Sequence, residues 1–320
     1  MRVWKMLLAG MMLVTGTSAG ATARAEGEGL TFAVISDIHV QSWNGGSIRK
    51  FGRALDDLQQ SARPAQALII NGDLGNGFPE DYQAVNKVLA RHPHPTRVYY
   101  TIGNHEFYKA WHDPSRRWSM ETFPNGESDQ ASVARFLQQS GEPNVYYEKH
   151  IGGYTFLFLG SERYRQSNPT YSEDAYLSQQ QLDWLSSRLK EESGQGKPIF
   201  IFLHQPLPNT VSGSIPGSSG RGVVQAAQLQ AILANYPKVI LFTGHTHWEL
   251  SLPDTVVHEQ FVMVNSSSVY EPYQGLGGPY PQEADRSEGL VVEVSAGQVV
   301  IKGRDFREGK WLGSYVLKYQ

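Results

Sequence analysis

Apolar residues follow one another along this chain in two rhythms. Short unbroken runs at 30–36, 67–70, 97–102, 199–203 and 239–242 have the length and composition of buried strands. Between them the spacing widens to a helical one. Ile48, Phe51, Leu55 and Leu58 predict a helix over 47–60 with one buried face. Tyr82, Val85, Val88 and Leu89 predict a second, and residues 131–139 a third. Leu182, Trp184, Leu185 and Leu189 mark a fourth, ended near Gly194 and Gly196, and Leu229, Ile232 and Leu233 a fifth. Runs at 145–148 and 154–159 flank Gly152-Gly153 and read as a hairpin. Beyond Glu249 mostly strand-like runs remain, at 261–264, 290–294, 299–302 and 315–318. Residues 105–129 are irregular yet hold Trp111, Trp118 and Phe123, too apolar for a plain linker, while 206–222 is a Gly/Ser/Pro-rich loop. Neither an internal repeat nor a break in composition divides residues 26–320. An order of β-α units followed by strands predicts an α/β (α+β) fold of two packed sheets with helices outside, in a single domain.

The first residues follow a different rule. Arg2 and Lys5 precede an apolar run from Met6 to Val14, and Ala23-Arg24-Ala25 stands before Glu26. A charged head, a short apolar core and an A-x-A site predict a cleaved signal peptide over 1–25. The run is too short for a membrane anchor, and no later stretch is long enough for a transmembrane segment. The expectation is a secreted or extracytoplasmic protein, and zero Cys leans toward bacterial export without disulfides. Cleavage would remove Arg2, Lys5 and Arg24 and no acid, deepening the net charge from −3 to −6. So acidic a chain is not expected to bind nucleic acid strongly or to dock on membranes by charge.

The strand-like runs end in polar residues able to do chemistry. The first leads into Asp37-Ile38-His39, the second into Asn71-Gly72-Asp73, and the third into Gly103-Asn104-His105-Glu106. The run at 199–203 ends in His204, and that at 239–242 leads into Gly244-His245-Thr246-His247. In β-α sheets, ligand sites gather at this C-terminal edge. Residues i and i+2 on extended chain point the same way, so Asp37 with His39, and His245 with His247, could each offer two ligands to one centre. Carboxylate, imidazole and amide oxygens suit Mn, Fe or Zn. Gly72, Gly103 and Gly244, directly before ligand residues, allow the backbone to turn tightly there. Any one of these polar residues alone reads as a capped or solvated group; five such pieces, each after a buried run, read as a metal centre.

In this order, D-x-H, G-D, G-N-H-E, a lone His and G-H-x-H, the chain resembles the calcineurin-like metallophosphoesterase superfamily, from Asp37 through His247. The resemblance implies a four-layer αββα sandwich of two mixed β-sheets and a dinuclear metal centre. It assigns Asp37, His39 and His247 to one metal, Asn104, His204 and His245 to the other, and Asp73 to both. It further implies hydrolysis of phosphodiesters or phosphomonoesters through a metal-bridging hydroxide, with His105 as general acid or as stabiliser of the transition state. Many members carry an acid three residues after the bridging Asp; here Asn76 stands there, which predicts altered tuning of the metals. The purple acid phosphatase branch places a Tyr ligand in this segment and lacks the first His. This chain has Leu74, Gly75 and Asn76, and it has His39, so no tyrosinate-to-iron colour is expected.

Other motifs fail on inspection. Lys109 stands where H-E-x-x-H needs its second His, and the loop at 213–222 lacks G-K-[ST] and G-x-S-x-G. His92, His94, His150 and His258 read as surface or structural residues; the place of His112, just after the His105 turn, stays open. Long loops supply candidate substrate contacts: Arg163, Tyr164 and Arg165, then Tyr171 and Tyr176, Arg221, and the tyrosines of 270–280. Plain loop packing explains them equally well. The substrate is expected to be a small phosphate ester, with a polymer as a variant of the same chemistry. The rival class is a non-enzymatic metal- or ligand-binding protein on a retired phosphoesterase scaffold, which would ordinarily have lost a ligand or the acid; here every one stands.

Overall fold

The computed structural model describes residues 29–62, 65–214, 222–274 and 285–319. The predicted signal peptide and Arg221 lie outside them. The strands are β1 (Leu30–Ile35), β2 (Ala67–Asn71), β3 (Val98–Thr101), β4 (Tyr147–Ile151), β5 (Tyr154–Phe158), β6 (Ile199–Phe202), β7 (Val239–Thr243), β8 (Val256–His258), β9 (Val262–Asn265), β10 (Glu288–Ser295), β11 (Gln298–Asp305) and β12 (Lys310–Lys318). The helices are α1 (Gly45–Ser61), α2 (Pro79–Leu89), α3 (Asp129–Ser140), α4 (Gln179–Glu192) and α5 (Ala226–Leu233). Among the described residues two six-stranded sheets form, in the orders β12-β11-β10-β1-β2-β3 and β4-β5-β6-β7-β9-β8.

Both faces of the central strands are covered, which is why they read as continuous apolar runs. Alternate residues go to different layers. Phe32 and Val34 of β1, Ile69 of β2, Phe200 and Phe202 of β6, and Ile240 and Phe242 of β7 fill the space between the sheets. Ala33, Ile35, Leu68 and Ile70 face the other way, onto Phe51, Leu55 and Leu58 of α1 and Val85 and Val88 of α2. Ile199, Ile201, Val239 and Leu241 face Leu182, Leu185 and Leu189 of α4 and Leu229 and Leu233 of α5. The result is helix, sheet, sheet, helix. Phe32 is central, with the rings of Phe156 and Phe200 both 5.0 Å away and edge-on. Removing such a fully buried ring costs about 3–5 kcal/mol.

The structure departs from the sequence reading in three places. Residues His105–Trp111, expected to be irregular, form a 3-10 helix. The hairpin's first strand runs to Ile151, directly opposite Tyr154, because Gly152 and Gly153 (φ 59° and 78°) alone make the two-residue turn. The short β8 pairs antiparallel with β9 and had no apolar run to announce it.

Candidate metal centre

β1, β2 and β3 run parallel in one sheet, and β6 and β7 run parallel in the other. Their C-terminal ends therefore reach a common edge, where the two sheets meet. Asn71 ties them there, its amide donating toward the carbonyls of Leu203 and Phe242 at 3.3 and 3.2 Å. At this edge Asp37, His39, Asp73 and His247 bring ligand atoms together, and so do Asp73, His204 and His245, with Asp73 common to both groups. Asn104 Oδ1 lies 3.0 Å from His245 Nδ1, which brings the amide oxygen to the second group. All seven residues to which the resemblance assigns metals thus meet at one point.

The convergence does not come from extended chain. Asp37, His39, Asp73, His245 and His247 all have positive φ, between 40° and 67°. The chain leaves each strand and turns in the left-handed region, which Asp, Asn and His enter more readily than other side chains. Two adjacent segments hold one another in these turns: the Asp37 N–H donates to the Gly72 carbonyl at 3.1 Å, and the His39 N–H to the Asp73 carbonyl at 3.0 Å. Glycines supply room as much as freedom. A Cβ on Gly103 would lie 2.6 Å from the Asp73 backbone nitrogen, and one on Gly244 would lie 2.7 Å from Asp37 Oδ2. Only Gly72 also needs a left-handed φ, of 86°.

The hydrogen bonds leave several inward-facing atoms free, while His39 Nε2 and His247 Nε2 face one another at 3.1 Å. Asp37 Oδ2 accepts from Ser36 Oγ at 2.5 Å and from the His245 N–H at 3.0 Å. His204 Nδ1 donates to the Asn71 carbonyl at 2.7 Å, and His247 Nδ1 to the Glu271 carbonyl at 2.9 Å. Asp37 Oδ1, His204 Nε2 and His245 Nε2 are buried and have no hydrogen-bond partner. Orphaned buried atoms of this kind call for a partner such as an ion. Asp37 Oδ1 lies 2.9 Å from His247 Nε2, and Asp73 Oδ2 lies 3.2 Å from His204 Nε2. The donor set therefore fits a pair of divalent metals: deprotonated carboxylates, an amide oxygen, and imidazoles, of which His204, His245 and His247 have their second nitrogens already oriented.

Without metal, the carboxylates and imidazoles must balance one another. Burial works against the charge on Asp37 and Asp73, but the surrounding histidines, His247 and His204 foremost, hold both well below the usual carboxylate range. His204 is correspondingly pushed up to about 10: burial opposes this, and Asp73 and Asp37 outweigh it. His247 is raised too, by Asp37 against its burial. His245 goes the other way, lowered to about 4 by burial and by the neighbouring His204. Protons thus occupy the centre where cations would.

His105 stands beside these residues and outside both groups. Its Nε2 is 3.9 Å from Asp73 Oδ2, its backbone N–H donates to Asp73 Oδ1 at 2.9 Å, and its ring stacks on Tyr108 at 3.8 Å. Its Nδ1 lies 3.0 Å from Asn76 Oδ1, so that proton sits on Nδ1. Asn76 therefore supports His105. Burial lowers His105 to about 3, although Asp73 opposes this, so the ring is neutral near pH 7. Glu106 accepts from the backbone N–H groups of Asp73, Leu74 and Gly103 at 3.1, 2.8 and 2.6 Å, tying the ends of β2 and β3 together.

The candidate substrate residues are placed differently from the ligands. Arg165 donates to Ser172 and Glu173 at 2.9 and 2.7 Å and lies over the Trp111 ring. Arg163 lies over the Tyr176 ring. Tyr164 is fully buried, with its hydroxyl on Glu173 at 2.8 Å. Tyr164 and Arg165 thus pack inward, whereas Arg163 stays exposed. His112 is structural, donating to the Tyr108 carbonyl and packed against Phe78 and Trp118.

Of the tyrosines of 270–280, Tyr270 and Tyr273, after β9, put their rings 6.0 and 4.9 Å from His39 and His247, and Tyr280 lies outside the described residues. One feature escaped the sequence reading: a run of rings leads outward from His105. Tyr108 touches Trp118, whose one face stacks on Trp111, and His112 and Phe78 continue the run to Trp43. Trp43 and Trp118 are each 52% exposed. Their separation in sequence from His105 hid them.

Comparison with known proteins agrees with this geometry. A family model described as calcineurin-like phosphoesterase matches residues 30–249. No curated protein matches the sequence. Among solved structures, a dimetal phosphatase from Danio rerio is similar over 91% of this chain and 99% of its own, with TM-score 0.63 and 15% identity. A purple acid phosphatase from yellow lupin (Lupinus luteus) seeds matches over 91% of this chain and 54% of its own, with TM-score 0.54 and 13% identity. GAP50, the anchor in the inner membrane complex of Plasmodium, matches over 91% and 89%, with TM-score 0.53 and 14% identity. At such identities the likeness is one of fold.

Proposed function

Because the chain belongs to the calcineurin-like phosphoesterase family, we propose that it is a dimetal hydrolase of small phosphodiesters that acts outside the cytoplasm after cleavage at Ala25. One observation carries the chemistry: two ligand groups share Asp73 and keep buried ligand atoms without hydrogen-bond partners. Two divalent metals, when bound, supply Lewis acidity toward the phosphoryl oxygens and activate water as the nucleophile. Asp73 sets the spacing between the two groups. His105 Nε2 points to the same place from outside them, with its other nitrogen held by Asn76. A phosphate anion beside the ring favours the protonated imidazole, and Nε2–H can then donate to the leaving alkoxide.

Preference for diesters is supported by what surrounds His105. The aromatic run from Tyr108 to Trp118 and Trp43 offers apolar contact to an organic substituent. A diester has two such substituents; a monoester has one and carries a second charge. The nearby guanidinium of Arg165 is already paired with Glu173. The retired-scaffold reading has less support, since no ligand of the family pattern is missing.

The test is to load residues 26–320 with Mn and compare bis(p-nitrophenyl) phosphate with p-nitrophenyl phosphate, using Asp73→Asn as control. Preference for the diester, lost in the control, supports the proposal. No turnover of either by protein carrying two metals shifts the weight to a retired scaffold. Export is checked separately: the full-length chain should yield a mature form beginning at Glu26 in the extracytoplasmic fraction.

A further inference from the structure

Glu173 lies in the loop before α4, and four donors converge on its carboxylate. Asn104 Nδ2 donates to Oε2 at 2.9 Å and Tyr108 OH to the same oxygen at 3.1 Å. Tyr164 OH and Arg165 donate to Oε1 at 2.8 and 2.7 Å. We propose that Glu173 is a positioning residue for the metal centre: it decides which way the Asn104 amide faces and, through Tyr108, where the His105 ring sits. The inference rests on the dimetal reading above.

The argument is one of donors and acceptors. The two ends of an Asn amide have nearly the same shape, so packing alone chooses poorly between them. A carboxylate only accepts. It therefore takes the NH2 end of Asn104 and leaves Oδ1 facing His245, 3.0 Å away. Turned over, the amide would present two N–H groups to the place where a cation belongs. The backbone does not make this choice: Asn104 has ordinary helical dihedrals (φ −75°, ψ −31°), and its side chain caps nothing in the 3-10 helix that follows. Arg165 opposes the Glu173 charge from the far side, which gives the inward packing of that arginine a purpose. Tyr108, the second donor to Oε2, is the ring on which His105 stacks. A single carboxylate thus reaches one group of ligands directly and the candidate acid through one residue.

Exchanging Glu173 for Gln keeps the size but supplies one accepting oxygen and an NH2 that faces other donors. Mn(II) is titrated into metal-free protein by calorimetry, a readout independent of turnover. Wild type should bind two Mn per chain. E173Q should keep one site near wild-type affinity and weaken the other by about 10–100-fold. Tyr164→Phe, which removes a different donor to Glu173, should change either affinity by less than about threefold. The exchange variant E173Q/N104D should restore much of the lost affinity. In it the carboxylate at position 104 presents an oxygen whichever way it turns, and it can accept from the amide introduced at position 173. E173Q binding two Mn with wild-type affinities would falsify the proposal. Equal weakening of both sites, or an exchange variant no better than E173Q, would also overturn it by pointing to a general structural role. If wild type itself binds no pair of metals, it is the dimetal reading that fails, and this failure is seen before any variant is made.

Discussion

On one side of Asp73 stand Asp37, His39 and His247; on the other stand Asn104, His204 and His245. The two sides are oriented by different means. On the first, Asp37, His39 and His247 all sit in left-handed turns, as does Asp73 itself, and backbone hydrogen bonds between the β1 and β2 ends lock two of these turns together. Each such turn costs about 1–2 kcal/mol, and the surrounding buried strands must hold them. On the second side, of the three only His245 has a positive φ. His204 is aimed by the Asn71 carbonyl, and Asn104 by a carboxylate 69 residues away. One half of the centre is thus built into the strand ends, whereas the other depends on side-chain partners brought by the rest of the fold.

The largest effect should come from the residue common to both halves. Asp73→Asn is expected to reduce turnover by about 10³-fold or more and to lower the bound metal on both sides. Retention of two metals with activity within about tenfold would refute a shared role. His105→Ala should cost about 10²–10³-fold in turnover at unchanged metal content. A metal-free His105→Ala protein would put this residue among the ligands instead.

The charge balance of the metal-free centre gives a pH test. His204 is raised to about 10 and His247 is raised as well. A histidine raised on folding stabilises fully below its unfolded value near 6.5, and that stability is lost as pH climbs through the folded value. Metal-free protein should therefore melt about 5 °C lower at pH 9.5 than at pH 6.5. Metal-loaded protein should show a smaller difference, because cations replace the protons. Equal pH dependence in both forms would mean that the centre does not set it.

Two smaller effects sharpen the contrast between metals and acid. Asn76→Asp places a carboxylate 3.0 Å from His105 Nδ1. It should move the corresponding limb of the pH–rate profile up by about one unit and leave metal affinity alone. A change in metal affinity would return Asn76 to the role its motif position suggests. Trp118→Ala should raise KM for bis(p-nitrophenyl) phosphate about threefold with kcat unchanged, since one ring contact is worth about 0.5–1.5 kcal/mol. An unchanged KM would remove the aromatic run from the substrate path.

Much of this was legible before the structure. Apolar runs placed the strands because both faces of each are buried, and the polar residues after them marked the centre. The way these residues converge was not legible. Extended geometry suggested that Asp37 and His39 point together; in fact both occupy left-handed turns, imposed by the neighbouring β2 end. Arg163, Tyr164 and Arg165 read as substrate contacts because a loop after a ligand strand often serves that purpose. Instead Tyr164 and Arg165 turn inward onto Glu173, itself silent in the sequence because one of two adjacent acids in a polar loop carries no pattern.

Sequence alone determined the layers, the strands other than β8 and the chemical identity of the candidate metal ligands, since each depends on a residue's own side chain and its near neighbours. Tertiary structure decided the left-handed turns, the direction of the Asn104 amide, the support of His105 by Asn76 and Tyr108, and the aromatic run beyond it. Those are set by partners that become neighbours only when the two sheets close on one another, and local spacing along a chain holds no record of such partners.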